Sequence, residues 1–443
     1  MSESAVAIEQ LIDRQRLRPI NFWYVAVLLL ALIADGFDLQ VMGFAAPSLV
    51  KDWGVKRADL APVLSASLVG VLFGAPLLGA LGDRIGRKTT VILASVLYGG
   101  FSLACAWAPS LEALGWLRFL TGLGIGGVLP NVMALSTELA PRRHRAVLTG
   151  IVVVGINIGS GTIGVVRTWV PVQHEWRWLF EIGAAAPIVI AALIAVSLPE
   201  SILFLAQRGR RAELARRVKS LDPDLQIDEQ TRFTLDAPSE AKGGGLKAIF
   251  AGRYALITTL LWLVFASTLF SIYIRTSWLP LLLDDAGISR GRVAVVSVLI
   301  DSAGTIAGLV SGFLLGRLGL AWAIVLLLVG AAGMACLARI DVTTSALEFA
   351  AIACGVGIVG GQAAMNTSAS LIYPANCRTS GVGAALGFGR LGAIMGPLIG
   401  GAIIALGATP RDMFLVPLAP LAMAILALLW LRRLADVRGA TPP

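Results

Sequence analysis

Twelve stretches poor in charge and long enough to cross a lipid bilayer recur along this 443-residue chain. They lie at roughly 21–46, 59–81, 89–108, 112–133, 147–169, 177–198, 254–282, 293–315, 321–340, 346–371, 380–404 and 412–432. A membrane span needs about 20 apolar residues, so twelve occupy roughly 240 positions and leave the remainder for loops and tails. Only 14% of the residues are charged, against about 25% in a soluble domain. That is too little polar material to cover a water-facing surface. A soluble enzyme is excluded, and an all-α polytopic membrane protein is expected.

The one long hydrophilic interval, 199–253, divides the spans into six and six, and contains RGRRAELARRVK and then a DAPSEAKGGG run of flexible-linker composition. The expected order is a tail over 1–20, a bundle over 21–198, a linker over 199–253, a second bundle over 254–432 and a tail over 433–443. The first residues, MSESAVAIEQLIDRQRLRPI, are polar and charged where a signal peptide has an apolar core, so the first span is expected to stay in the mature protein. With the N-terminus inside, the inner segments hold 24 of the 36 basic residues and the outer loops 9. Basic residues collect in cytoplasmic loops, which places both termini in the cytoplasm and explains the net charge of +9 without a nucleic-acid partner. The four cysteines, Cys105, Cys336, Cys354 and Cys377, lie in or beside apolar runs without metal-ligand spacing.

The halves repeat. The loop Gly82-Asp83-Arg84-Ile85-Gly86 aligns with Leu315-Gly316-Arg317-Leu318-Gly319 at an offset of 233, which brings each helix near a counterpart. Internal duplication around a central site is how many secondary transporters are built.

The run Gly79-Ala-Leu-Gly-Asp83-Arg84-Ile-Gly86-Arg87-Lys88 resembles the signature loop of the major facilitator superfamily, and Arg118-Phe-Leu-Thr-Gly122-Leu-Gly124 in helix four resembles its Arg-Gly motif. Asp35-Gly36-Phe37-Asp38 in helix one, followed by GFAAPSL, resembles the aromatic acid:proton symporter family, and the likeness runs on through helices seven, ten and eleven. The resemblance implies a major facilitator fold of two six-helix bundles and import of an aromatic carboxylate by proton symport through alternating access. Three departures stand out. Pro199-Glu200-Ser201-Ile202-Leu203 lacks the Arg of the family's stretch after helix six, Gly316 replaces an expected Asp before Arg317, and Arg275 and Asp301 stand where uncharged residues are expected.

Chemistry within the apolar spans falls to six charges: Asp35, Asp38, Arg118, Arg275, Asp301 and Arg390. Each costs about 2.5–3.5 kcal/mol at a helix centre on insertion scales, so each needs a partner or a cavity. Asp35 lies roughly 21 Å into helix one at 1.5 Å per residue. Asp38 follows at i+3 on the same face. Two nearby carboxylates in low dielectric cannot both carry charge cheaply, so the pair is a proton site unless an Arg intervenes. Arg118, at a depth comparable with Asp38, is the candidate to pair with it. Arg390, midway along helix eleven, carries a fork that matches a carboxylate, and the resemblance points to it as the substrate's anchor. Asp301 in helix eight can pair with either Arg390 or Arg275.

Tyr273, Trp278, Gln362 and Asn366 offer rings and amides for a hydroxylated aromatic ring, or simple packing. Asp83, Arg84, Arg87, Arg317 and Arg378 read as gating charges at the cytoplasmic ends, with Glu138 a partner for the first loop. His144 and His174 lie in loops. The glycine run Gly122–Gly127 follows no strand and reads as a helix-packing surface rather than a nucleotide loop. Helix five has glycines but no proline, which favours symport over exchange. The expected working unit is a monomer in a bacterial cytoplasmic membrane, taking a small aromatic carboxylate and protons, with no cofactor, metal or enzymatic activity. An exporter, a carrier of a sugar or non-aromatic carboxylate, or a non-transporting receptor are the alternatives the residues leave open.

Overall fold

The computed structural model describes residues 5–8, 17–221, 231–234, 249–252, 254–339, 346–373 and 377–436. Twelve helices are long and apolar enough to cross a membrane. They are α1 (Pro19–Trp53), α2 (Ala61–Ile85), α3 (Arg87–Cys105), α4 (Leu111–Leu139), α5 (Arg145–Trp169) and α6 (Glu175–Ser197), then α7 (Tyr254–Asp285), α8 (Arg290–Leu318), α9 (Leu320–Leu337), α10 (Ala346–Ile372), α11 (Arg378–Ala405) and α12 (Leu418–Asp436). Side chains such as Phe73, Trp116 and Leu426 stand exposed, as spans in contact with lipid allow.

In the first bundle α1 packs on α5 and α6, α2 on α4, and α3 on α4 and α6. The second repeats this with α7 on α11 and α12, α8 on α10, and α9 on α10 and α12. The duplication reaches single residues. A Cβ on Gly159 would come within 2.0 Å of the Ile33 carbonyl oxygen, and one on Gly392 within 2.0 Å of that of Ala266. A Cβ on Gly122 would meet the Ser67 carbonyl at 2.0 Å, and one on Gly355 that of Ile300 at 2.1 Å. In every case the second-half residue lies 233 positions after its counterpart. Glycine lets helix backbones touch, which is how membrane helices gain packing energy where no hydrophobic effect drives them together.

A Cβ added to Gly36 would likewise lie 2.0 Å from the Ile156 carbonyl oxygen. Gly36→Val is expected to force α1 off α5 and cost about 1–3 kcal/mol, read as a lowered melting temperature of the purified protein. An unchanged melting temperature would show that this crossing yields easily.

Within 199–253, Ile202–Gln207 and Arg211–Leu221 are helical. Phe204, Leu205, Leu214 and Val218 pack with Ile8, and strand β1 (Ala5–Ala7) pairs in parallel with β2 (Arg232–Thr234). The RGRRAELARRVK run is thus largely helix, while the DAPSEAKGGG run lies outside the described residues.

Candidate functional site

The two bundles meet through α1 against α7, α2 against α11 and α5 against α8. At one end they are shut. A Cβ on Gly43 would lie 2.8 Å from the Thr276 carbonyl oxygen, one on Gly164 2.9 Å from Ala294 Cα, and one on Gly401 2.2 Å from Ala61 Cβ. Ion pairs reinforce the closure: Lys51–Asp284 at 3.4 Å, Arg57–Asp285 at 2.7 Å and Arg167–Asp284 at 3.3 Å. Glu175, buried at the start of α6, accepts from both Arg167 and Arg290. Among the described residues, the ion pairs that join the bundles all lie at this end. At the other end Gly150, Gly312, Gly316, Gly383 and Gly387 face open space.

A cavity of about 500 Å³ opens there and reaches up between the bundles. Of the residues singled out from sequence, Tyr273, Arg275, Asp301, Gln362 and Asn366 line it. Gln40, Thr149, Asn157 and Ser160 from the first bundle add to its polar surface and are not among the residues the sequence singles out. A π-helical turn at Gly355–Val359 interrupts α10 just before the cavity-lining Gln362. Gly355 packs there against the Ile300 backbone, next to Asp301. Gln362 accepts from Thr268 and donates to Asn366 Oδ1 at 3.1 Å, so the amides are held before any solute arrives.

Arg275 Nη2 lies 4.0 Å from Asp301 Oδ1 and donates to Thr276 Oγ1 at 3.2 Å. Asp301 Oδ2 accepts from Gln40 Nε2 of the opposite bundle at 3.4 Å. Of the two partners open to Asp301, the structure therefore pairs it with Arg275.

The carboxylates of α1 are not equivalent. Asp38 is fully enclosed and clamped: Arg118 Nη1 donates to Oδ2 at 2.8 Å, Ser102 Oγ to Oδ1 at 2.7 Å, and Arg118 Nη2 to the Asp38 carbonyl at 3.1 Å. The Phe180 ring lies 5.7 Å from the same guanidinium. Asp35, one turn earlier, is also buried, yet its Oδ1 has no hydrogen-bond partner among the described residues. It lies within electrostatic reach of Asp38 and Arg390, and Arg390 within reach of Tyr273. Arg390 is half-buried beside the cavity rather than on its lining.

Trp278 takes a different place from the one its composition suggests. It is 1% exposed, its indole N–H donates to the Pro397 carbonyl at 3.2 Å, and it fills the space over Gly400. It fastens α7 to α11 and does not line the cavity. The indole found a dry backbone acceptor, which a sequence does not reveal.

At the open end Arg87 pairs with Asp83 at 2.7 Å and lies 3.7 Å from Glu138. Ser201 donates to Glu138, and Glu200 accepts from the backbone of Lys88 at 3.0 Å, capping α3. Gly86, at φ 110°, brings the chain against the Glu200 carboxylate, where a Cβ would clash at 2.2 Å. Arg84 and Arg317 are exposed, and Arg378 Nε donates to the Tyr373 carbonyl at 3.3 Å. Arg167, near the end of the fifth apolar stretch, and Glu175, just before the sixth, enlarge the buried charge set beyond the six expected.

The sequence profile of the Major Facilitator Superfamily matches residues 28–397. The chain belongs to the Major Facilitator Superfamily. It is a membrane transporter by family, not an enzyme. It is 34% identical to the gallate transporter of Pseudomonas putida, over 96% of this chain and 95% of that one. It is 35% identical to the 4-hydroxybenzoate transporter PcaK of Pseudomonas aeruginosa, over 97% of each. A benzoate transport protein of Acinetobacter baylyi is 28% identical over 90% of this chain and 87% of its own length. Among solved structures, the inward-open xylose transporter XylE from E. coli superposes with a TM-score of 0.71 at 17% identity, covering 93% of this chain and 96% of that one. An inward-facing, occupied bacterial homologue of the human lysosomal transporter Spinster gives 0.70 at 17% identity, over 94% and 98%. At that identity these two likenesses speak to the fold alone, and the fold is the superfamily's pair of six-helix bundles.

Proposed function

We propose that this protein imports an aromatic carboxylate anion together with protons, by alternating access across a bacterial cytoplasmic membrane. The observation that carries the reading is the near full-length similarity to carriers named for gallate and 4-hydroxybenzoate. The amide-lined cavity, with Arg275 on its wall, supports it. With both termini cytoplasmic, as the bias of basic residues favours, the open cavity faces inward and the charged closure is the outer gate.

The roles follow from the geometry. Asp38 is held by Arg118 and Ser102, and this ion pair positions α1 against α4. The mobile proton on α1 belongs to Asp35, which lacks such a clamp. A proton there removes its electrostatic pull on Arg390 and leaves that guanidinium to the substrate's carboxylate. Gln362 and Asn366, already oriented, and Tyr273 hydrogen-bond and stack on the ring. Asp83, Arg84, Arg87 and Glu138, with Arg317 and Arg378 across the opening, are the charges that rearrange when the cytoplasmic side closes.

The test is uptake of labelled 4-hydroxybenzoate into proteoliposomes with an acidic exterior, corrected for protein-free vesicles. A gradient of one pH unit is expected to give at least about tenfold accumulation, since 1.4 kcal/mol is tenfold in an equilibrium. Asp35→Asn is expected to lower that accumulation, because it takes one proton out of the cycle. Wild-type accumulation that ignores the gradient would refute proton coupling.

A further inference from the structure

The geometry points to Asp301 as a second proton-coupling carboxylate, housed in the second bundle, which acts by releasing Arg275 to the incoming anion. This rests on the proposed reading of the cavity and deepens it.

Asp301 is the one carboxylate among the described residues that lines the cavity. An organic anion that enters must lie close to it, and like charges in a site of low dielectric repel strongly. The structure shows how that cost is avoided. The contact with Arg275 is a single approach at 4.0 Å, long beside the 2.8 Å of Arg118–Asp38, and Arg275 Nε has no hydrogen-bond partner among the described residues. Asp301 is thus held loosely by its cation, faces the route by which water reaches the site, and is 6% exposed.

The groups that face it are few. From α7 come Arg275 and, farther round the cavity, Tyr273; from α1 the uncharged Gln40; from α5 the uncharged Asn157 and Ser160. Cys354 of α10 lies behind, within reach of Arg275. On α8 itself Arg292 is engaged with Glu348 at 2.8 Å near the outer end. Arg275 is the only described cation positioned to set the charge of Asp301.

A proton from the outside binds an Asp301 carboxylate oxygen, and the contact with Arg275 lapses. Arg275 then donates to the substrate anion. On the inside the proton leaves to water, Asp301 regains its charge and its cation, and the anion is displaced. The hydrogen bond from Gln40, which crosses from the other bundle, ties this exchange to the relative position of the two halves.

With Asp35 and Asp301 both taking a proton, each monovalent anion enters with two protons and one net positive charge. Uptake should respond to voltage. In proteoliposomes at equal pH on both sides, a potassium diffusion potential, negative inside, is expected to raise accumulation of 4-hydroxybenzoate, gallate or benzoate by tenfold for about 59 mV. Asp301→Asn removes one proton and one charge from the cycle, so its accumulation, at whatever rate, should follow the pH gradient and ignore the potential. Asp301→Glu should keep the voltage response, which guards against a variant that is merely misfolded. Electroneutral uptake by the wild type, or a voltage response surviving in Asp301→Asn, overturns the inference while leaving the cargo intact. Failure of all three acids to accumulate overturns the cargo reading and this inference with it.

Discussion

Arg118→Leu is expected to abolish uptake and to cost about 3–5 kcal/mol of stability, because it strands the Asp38 carboxylate in a site with no other cation in contact. Neither side chain is exposed at all, so water cannot replace the lost partner. Ser102 Oγ remains at 2.7 Å, and one neutral hydroxyl does not offset a buried charge. Asp38→Asn is expected to cost a similar amount by leaving the guanidinium uncompensated beside Phe180. The double variant Arg118→Leu with Asp38→Asn should regain much of the stability of either single one and none of the transport. A melting curve for all four proteins completes the cycle. Additive losses would show that the two side chains act independently, against the clamp described above. Recovery of uptake together with stability would show that the pair serves packing alone.

Much of this was legible in the sequence, and the boundary is physical. The spans could be read because twenty consecutive apolar residues have few other fates, and the depth of Arg118 against Asp38 followed from a fixed rise per residue. The 233-residue repeat, taken from one loop, proved to register glycine contacts at Gly159 and Gly392. Which side of a helix meets the cavity is another matter, because all faces of these helices are apolar and the rotation is set by neighbours. Gln40 and Asn157 line the cavity while Trp278 is packed away, although composition favours the tryptophan. Helix ends also run beyond the apolar stretches. The first apolar stretch ends near 46, but α1 continues to Trp53. That added stretch presents Lys51 to Asp284, and places Asp52 where the His174 ring nitrogen at 3.1 Å and the Trp176 indole N–H at 2.9 Å both reach it. The closed end is built from such helix-end residues, which a hydropathy reading assigns to loops.

Glu175→Gln is expected to open that closure. The carboxylate is 1% exposed and sits between Arg167 of its own bundle and Arg290 of the other, so it is the negative charge that lets two guanidinium groups meet across the interface. With an amide in its place the two cations face each other, and the bundles separate to hydrate them. Breaking a buried pair by removing one partner costs about 3–5 kcal/mol. The lower figure applies, because Arg167 retains Asp284 at 3.3 Å and Arg290 is a quarter exposed. About 3 kcal/mol corresponds to roughly a hundredfold shift in the ratio of outward-open to outward-closed protein. Spin labels on cysteines placed at Val172 and Gly291, both exposed at this end, read the separation directly, once the exposed native Cys336 has been replaced. The otherwise wild-type labelled protein should show the short distance of the closed state, Glu175→Gln a longer and broader one, and Glu175→Asp a distribution close to the closed form. Uptake by Glu175→Gln should fall, since a carrier held open to the outside releases its cargo slowly to the cytoplasm. An unchanged distance distribution would show that the glycine contacts at Gly43, Gly164 and Gly401 hold the outer end shut by themselves, and that the charges only decorate it.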